Sequence, residues 1–179
     1  MNPRVACFTG RFQPFHNQHL EVVEALSHTF KRIIIGVTNP DISKLQAHNA
    51  SLHRHTDEAN PFTFESRVRI IRKSLTKIKK VRIDIFPFCL DSPSTWNVPA
   101  ETVFALRIFS PWEENKLALF EAEGYKTLSL TAPTQKLSAS DIRQSLTSND
   151  GDWKSLVALH AVETISNEWS VTNSSKVGT

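Results

Sequence analysis

Only two cysteines occur among the 179 residues, and Cys7 and Cys89 have no metal-ligand spacing. Both fall in predicted strands, so they read as buried thiols of a reducing compartment and not as a disulfide. No apolar run approaches the roughly 20 residues that a membrane helix needs. No signal peptide is expected, because Phe8 is quickly followed by Arg11. Internal repeats and low-complexity blocks are absent. A basic tail is absent too: the net charge of +3 comes from 21 Lys and Arg mixed among 18 Asp and Glu. That balance mildly favours anionic ligands. No basic face is interleaved with aromatics, so nucleic acid is not an expected partner. The most basic stretch, Arg67 to Lys80, places Val68, Ile71 and Leu75 between its charges and reads as a solvated helix face.

What is present is an ordinary globular composition, 40% hydrophobic and 22% charged, long enough to bury a substantial core. One domain over residues 1–170 is expected, with 171–179 a small, polar, disordered tail. The pattern predicts strands at Arg4–Thr9, Arg32–Thr38, Val81–Phe86, Thr102–Phe109 and Thr127–Leu130. It predicts helices at Asn17–Thr29, from an N-cap at Thr63 through Leu75, at Glu113–Glu123 stopped by Gly124, at Ala139–Leu146 and at Trp153–Glu168. Ser138 and Asp141 read as a capping box for the fourth helix. Strands separated by helices imply right-handed crossovers and an α/β, Rossmann-like parallel sheet with helices on both faces. Such sheets bind ligands beyond the carboxyl ends of their strands, where the strand order reverses.

Two segments carry chemistry. The first runs Thr9-Gly10-Arg11-Phe12-Gln13-Pro14-Phe15-His16-Asn17-Gln18-His19. An apolar run meets a Gly-Arg turn, then two imidazoles three apart at a helix start, where a triphosphate would be bound. The second, Leu137-Ser138-Ala139-Ser140-Asp141-Ile142-Arg143, adds hydroxyls and a guanidinium at another helix start. Either histidine alone would be an ordinary surface or core residue, Ser138 alone a cap, and Arg143 alone a solvated or paired charge. Their occurrence together favours a phosphate site.

In this order the segments resemble the HxGH nucleotidyltransferases, and the first is most like the archaeal-type nicotinamide mononucleotide adenylyltransferases. Asn60-Pro61-Phe62-Thr63 with Glu65-Ser66-Arg67-Val68 looks like that family's second-helix start. Trp153-Lys154-Ser155-Leu156-Val157 with Ala161-Val162 looks like its C-terminal helix. The resemblance implies a nucleotidyltransferase domain that moves a nucleoside monophosphate from a triphosphate to a phosphate-bearing small molecule, releasing pyrophosphate. ATP and nicotinamide mononucleotide, giving NAD, are the first expectation. Alternatives are a cytidylyltransferase or related enzyme acting on a phosphate or phosphonate metabolite, and a silent nucleotide sensor. A cytoplasmic enzyme with no membrane partner is expected, and the family's habit leaves a homo-oligomer open. The sequon Asn49-Ala50-Ser51 would have no consequence there.

An ionised acceptor phosphate needs no base, only alignment and positive charge around the transferring group. The resemblance gives the catalytic roles to His16, His19 and Arg143, with Mg²⁺ bound to the triphosphate. Gly10, Arg11, Phe12, Gln13, Gln18, Ser138 and Ser140 are the expected nucleotide and phosphate contacts. Asn39, Trp96 and Trp112 are the acceptor candidates, with core packing the alternative for either tryptophan. No metal ligands are assigned. The segment Asn39–Asn60 holds His48, His53, His55 and Asp57, but their spacing fits no tight metal template, and a substrate-covering loop is the reading. The chain departs from the family where Gln18 replaces the motif glycine and where Ser110-Pro111 replaces a Gly-Asn or Ser-Asn pair.

Overall fold

The computed structural model describes residues 5–41, 43 and 56–177. Its strands are β1 (Val5–Gly10), β2 (Arg32–Thr38), β3 (Arg82–Phe88), β4 (Val103–Arg107) and β5 (Lys126–Leu130). They form one sheet in the order β3-β2-β1-β4-β5, with every pairing parallel. The strand order therefore reverses between β1 and β4, the place where parallel sheets commonly receive ligands. The α/β expectation holds. The helices are α1 (Asn17–Ser27), α2 (Phe64–Ser74), α3 (Pro111–Ala122), α4 (Ala139–Ser148) and α5 (Val162–Val177).

The described residues divide into two compact units, one drawn from 1–10, 21–40 and 78–136, the other from 11–20, 41–77 and 137–179. The first unit holds the sheet. Residues 33–38 of β2 are all buried, as a strand of a parallel sheet requires. Gly36 is required there by close approach. A Cβ at that position would lie 2.8 Å from Thr9 Cγ2 and 3.0 Å from the Phe88 ring.

The first unit's core is aromatic. Phe104 and Phe120 stack at 3.9 Å, and Trp96 lies 5.1, 5.6 and 5.4 Å from Phe88, Phe104 and Phe120. The Trp96 indole N–H donates to the Cys89 carbonyl at 2.7 Å. Cys7 is buried in β1, and burial pushes its thiol up to about 12 despite the nearby Lys116 charge, so it is unreactive. Cys89 differs from expectation: it lies just past β3 and is exposed.

Helix α3 begins at Pro111 and not at Glu113, because proline's fixed φ suits a first helical position. It ends as expected at Gly124, whose φ is +83°. Gly124 N–H donates to Glu121 O at 2.9 Å and Tyr125 N–H to Phe120 O at 3.0 Å, the paired bonds of a Schellman ending.

In the second unit, Thr63 Oγ1 accepts from Ser66 N–H at 3.2 Å, the cap expected for α2. Ser138 caps α4, but its Oγ accepts from Ser140 N–H at 3.1 Å, one position short of a capping box. Glu168 of α5 accepts from Ser66 Oγ at 2.6 Å and Arg69 Nε at 2.5 Å on α2.

The last helix departs most from the sequence reading. Two 3₁₀ turns, Asp152–Leu156 and Leu159–Ala161, precede α5. Val157 and Ala158 between them have extended backbone, and Leu159, expected on the apolar stripe, is 80% exposed. At its other end α5 continues through residues 171–177, where a disordered tail was expected.

Candidate active site

The first chemical segment leaves the carboxyl end of β1 at Gly10 and enters α1 at Asn17. Gln13, Arg67 and Arg143 shape it from within the second unit. Phe12 adopts a left-handed φ of +52°, a conformation that costs a bulky residue on the order of 1–3 kcal/mol and needs its surroundings to enforce it. Those surroundings are identifiable. The Phe12 ring is buried, 5.3 Å from the Phe15 ring and edge-on to His19 at 5.0 Å. Gln13, 2% exposed, donates through Nε2 to Phe62 O and accepts at Oε1 from Phe62 N–H, both at 2.9 Å. Its side chain thus pairs with backbone as a neighbouring strand would.

Arg67 closes the other side of the loop. Its Nη1 donates to Arg11 O at 2.9 Å and its Nε to Thr63 O at 3.2 Å. This corrects the solvated-face reading of the basic run: Arg67 is 0% exposed. Burial lowers its guanidinium to about 10, still protonated at neutral pH. A buried arginine facing backbone carbonyls looks in sequence like any helix-surface charge. The only pointer was its place in the Glu65-Ser66-Arg67-Val68 block.

The two histidines come together as expected, with rings stacked at 3.6 Å and 22°. His19 Nδ1 accepts the His16 backbone N–H at 3.2 Å. An accepting nitrogen carries no proton, so the neutral His19 ring carries its proton on Nε2. His16 O also receives the N–H groups of His19 and Leu20 at 2.9 and 3.0 Å, which starts the helix. His19 is thereby fixed in both orientation and tautomer, ready to donate from the opposite edge.

Arg143 reaches back to the same loop. Its Nη1 donates to Gln13 O at 2.7 Å and its Nη2 to Ser140 Oγ at 3.0 Å. Burial lowers its pKa, and no carboxylate contributes to that shift. A guanidinium has five N–H donors, so this anchoring leaves capacity for a phosphate. Gln18 Oε1 accepts the Leu137 N–H at 2.8 Å. Within one unit, then, two hydrogen bonds tie the segment that holds His16, Gln18 and His19 to the one that holds Ser138, Ser140 and Arg143, while the Arg11 side chain donates from Nη1 to Ala59 O at 3.5 Å.

Other expected contacts have different places. The side chains of Phe12 and Gln13 hold the loop. Trp96 is 7% exposed and packs among Phe88, Phe104 and Phe120 in the first unit, in line with the packing alternative. Trp112 is the second residue of α3 and half-buried, and Asn39 follows β2 with a left-handed φ of +53°. Both belong to the first unit. His48, His53, His55 and the sequon lie outside the described residues. Among the described residues no cluster of three His, Cys, Asp or Glu could hold a metal ion, and no helix is long and apolar enough to cross a membrane.

Comparison with known proteins gives the chain its family. Residues 7–145 match the family described as cytidylyltransferase-like. The chain is 29% identical over 153 residues to a phosphonoformate cytidylyltransferase from Streptomyces viridochromogenes, covering 83% of each. It is 30% identical over 165 residues to a nicotinamide-nucleotide adenylyltransferase from Thermococcus sibiricus, covering 88% of this chain and 81% of that protein. Among solved structures, a bifunctional NMN adenylyltransferase/ADP ribose pyrophosphatase from Francisella tularensis superposes with a TM-score of 0.59 at 18% identity. That alignment covers 86% of this chain and 44% of the bifunctional protein, and it bears on the fold alone.

Proposed function

Because this chain belongs to the cytidylyltransferase-like family of nucleotidyltransferases, we propose that it transfers a nucleoside monophosphate from a triphosphate to a small phosphate- or phosphonate-bearing acceptor, releasing pyrophosphate. The observation that carries the reading is the convergence of two helix starts. His16 and His19 at α1, and Ser138, Ser140 and Arg143 at α4, share one unit, and their two segments are joined by the Leu137–Gln18 and Arg143–Gln13 hydrogen bonds.

The acceptor oxygen attacks the α-phosphorus, its bond forming as the bond to the pyrophosphate oxygen breaks. The acceptor is already ionised, so the protein's task is to align the groups and stabilise charge. His19 Nε2–H and the His16 imidazole donate to the oxygens of the transferring group, with the first turn of α1 adding its partial positive charge. Arg143 and Arg11 meet the charge of the leaving pyrophosphate, and the Ser138 and Ser140 hydroxyls steady its oxygens. The site's donors are imidazole, guanidinium and hydroxyl with no carboxylate among them, which suit phosphate oxygens better than a hard cation such as Mg²⁺. Mg²⁺ would therefore enter with the triphosphate, held by phosphate oxygens and water, and would offset negative charge there. A cytoplasmic setting, where such triphosphates abound, belongs to the same reading.

Two forms of the reaction accord with the relatives. ATP with nicotinamide mononucleotide, forming NAD, is the form expected from sequence and accords with the adenylyltransferase relatives. CTP with a phosphonate or other phosphorylated metabolite accords with the cytidylyltransferase relative. Burial of Trp96 favours the second form, because it removes one of the two aromatic side chains put forward to stack on a nicotinamide ring. The test is a pyrophosphate-release assay crossing ATP, CTP, GTP and UTP with nicotinamide mononucleotide and a panel of phosphate and phosphonate acceptors, each with Mg²⁺. Release with at least one pair is expected. NAD formation selects the first form, brisk release with CTP and no NAD selects the second, and triphosphate binding without release anywhere overturns the reading in favour of a sensor.

A further inference from the structure

Gln18 stands where the motif this chain resembles has glycine, and its side chain has a defined partner. It is the second residue of α1, between His16 and His19. Its Oε1 accepts the backbone N–H of Leu137 at 2.8 Å, in a part-buried bond between residues 119 apart in sequence. Leu137 immediately precedes Ser138, the N-cap of α4. We infer that Gln18 is a positioning residue, which holds the entry to α4 against the start of α1 and so sets Ser138, Ser140 and Arg143 relative to His16 and His19.

The geometry makes this more than one bond among many. A second tie runs from Arg143 Nη1 to Gln13 O at 2.7 Å. One tie grips the residue before α4 and the other a residue one turn inside it, and both are anchored in the segment 13–18. A single hydrogen bond would leave the start of α4 free to pivot, whereas two bonds at different points fix its rotation as well as its distance. The Gln18 bond goes to backbone, so it places the helix start whatever side chain stands at 137. A glycine at 18 has no atom to reach Leu137, and a part-buried N–H left without an acceptor is costly. Gln18 therefore acts through α4, and its effect is on pre-organisation of the donors that meet the transition state.

The kinetic half of this inference rests on the nucleotidyl-transfer reading, but the structural half can be measured without substrate. The experiment follows amide exchange at Leu137 by NMR in the unliganded full chain, for wild type, Gln18→Gly, Gln18→Leu and Gln18→Glu. It is paired with steady-state kinetics on whichever triphosphate and acceptor the screen identifies. Exchange at Leu137 is expected to accelerate about tenfold in Gln18→Gly and Gln18→Leu, the loss of one hydrogen bond. It should stay near wild type in Gln18→Glu, which keeps an acceptor oxygen. kcat should fall about tenfold in Gln18→Gly and Gln18→Leu, with the triphosphate KM little changed; Gln18→Glu is compared by exchange alone, because its carboxylate adds negative charge beside the phosphates. Should Gln18→Leu fail to fold, Gln18→Gly carries the comparison.

Unchanged exchange at Leu137 in Gln18→Gly would overturn the inference. So would a rise in KM alone, which would mean that Gln18 touches the ligand directly. Accelerated exchange in a chain whose wild type releases no pyrophosphate with any pair would uphold the tie and refute nucleotidyl transfer, so the two failures are distinct.

Discussion

The two units hold themselves together by different means. The sheet unit relies on apolar contact: Val5, Cys7, Ile34, Phe88, Trp96, Phe104 and Phe120 form one buried cluster, and the polar atom of its largest member is satisfied locally by Cys89 O. The motif unit has an apolar core too, with Phe15, Phe62, Ile70, Ile71 and Ile142 fully buried, and adds to it side chains that grip backbone. Gln13 holds Phe62, Arg67 holds Arg11 and Thr63, Arg143 holds Gln13, and Gln18 holds Leu137. Aromatic packing is tolerant of small shifts in individual contacts but strong in sum. Hydrogen bonds to fixed carbonyls are weaker in net terms but directional. The difference suits the tasks: a scaffold needs stability, and a phosphate site needs donors at set positions.

Breaking the aromatic core should give the largest effect on stability. Trp96→Ala is expected to cost about 3–5 kcal/mol, from lost packing and a residual cavity. Trp96→Phe should cost less and leave the acceptor KM unchanged; a selective rise in that KM would return Trp96 to the acceptor site. Chemical denaturation with parallel kinetics reads both.

Arg67→Met is the counterpart in the motif unit. It leaves the Arg11 and Thr63 carbonyls without their guanidinium donor, at roughly 1–3 kcal/mol. It should also lower turnover in the molecules that remain folded, because the loop before His16 loses its buckle. Stability loss with full turnover would make the polar ties structural only.

Gly36→Ala sharpens the contrast from the sheet side. Its methyl would press on Thr9 and Phe88, costing about 1–3 kcal/mol by overpacking without a change in turnover per folded molecule.

Acid should produce the smallest effect. The Arg69 hydrogen bond, with help from Ser66, holds the Glu168 carboxyl below its ordinary value of 4.5. A carboxylate depressed in the folded state stabilises fully above pH 4.5 and loses that contribution as pH falls through its folded value. The Arg69 partner is largely exposed, so about 0–1 kcal/mol is expected. Glu168→Gln should flatten the acid limb of a stability–pH profile to that extent.

Much of this architecture was legible from the chain. β2 was read to the residue, Thr63 and Gly124 marked the ends of two helices, and the two chemical segments were found by residue type and spacing. These are local signals, carried by caps, a left-handed glycine and apolar runs. What escaped was set by tertiary contact. Arg67 looked like a surface charge because nothing local says that its neighbours would be carbonyls. The final helix was begun too early because Leu156, Leu159, Val162 and Ile165 keep helical spacing, while the extended backbone at Val157 and Ala158 leaves no such trace. Gln18 stood out only as a replacement of the motif glycine, because its partner lies 119 residues away.

The most direct test of the account is the rate of pyrophosphate release by Arg143→Ala, His16→Ala and His19→Ala at saturating triphosphate, with thermal unfolding followed in parallel. Loss of a charge-stabilising donor should lower kcat about 10²–10³-fold in each, counted per folded molecule, with KM changed less and a small fall in unfolding temperature, because Arg143 also holds Gln13 O and the two imidazoles are packed in the loop. Undiminished kcat in all three folded variants would contradict it, and would mean that the convergence of the two helix starts is not where the chemistry happens.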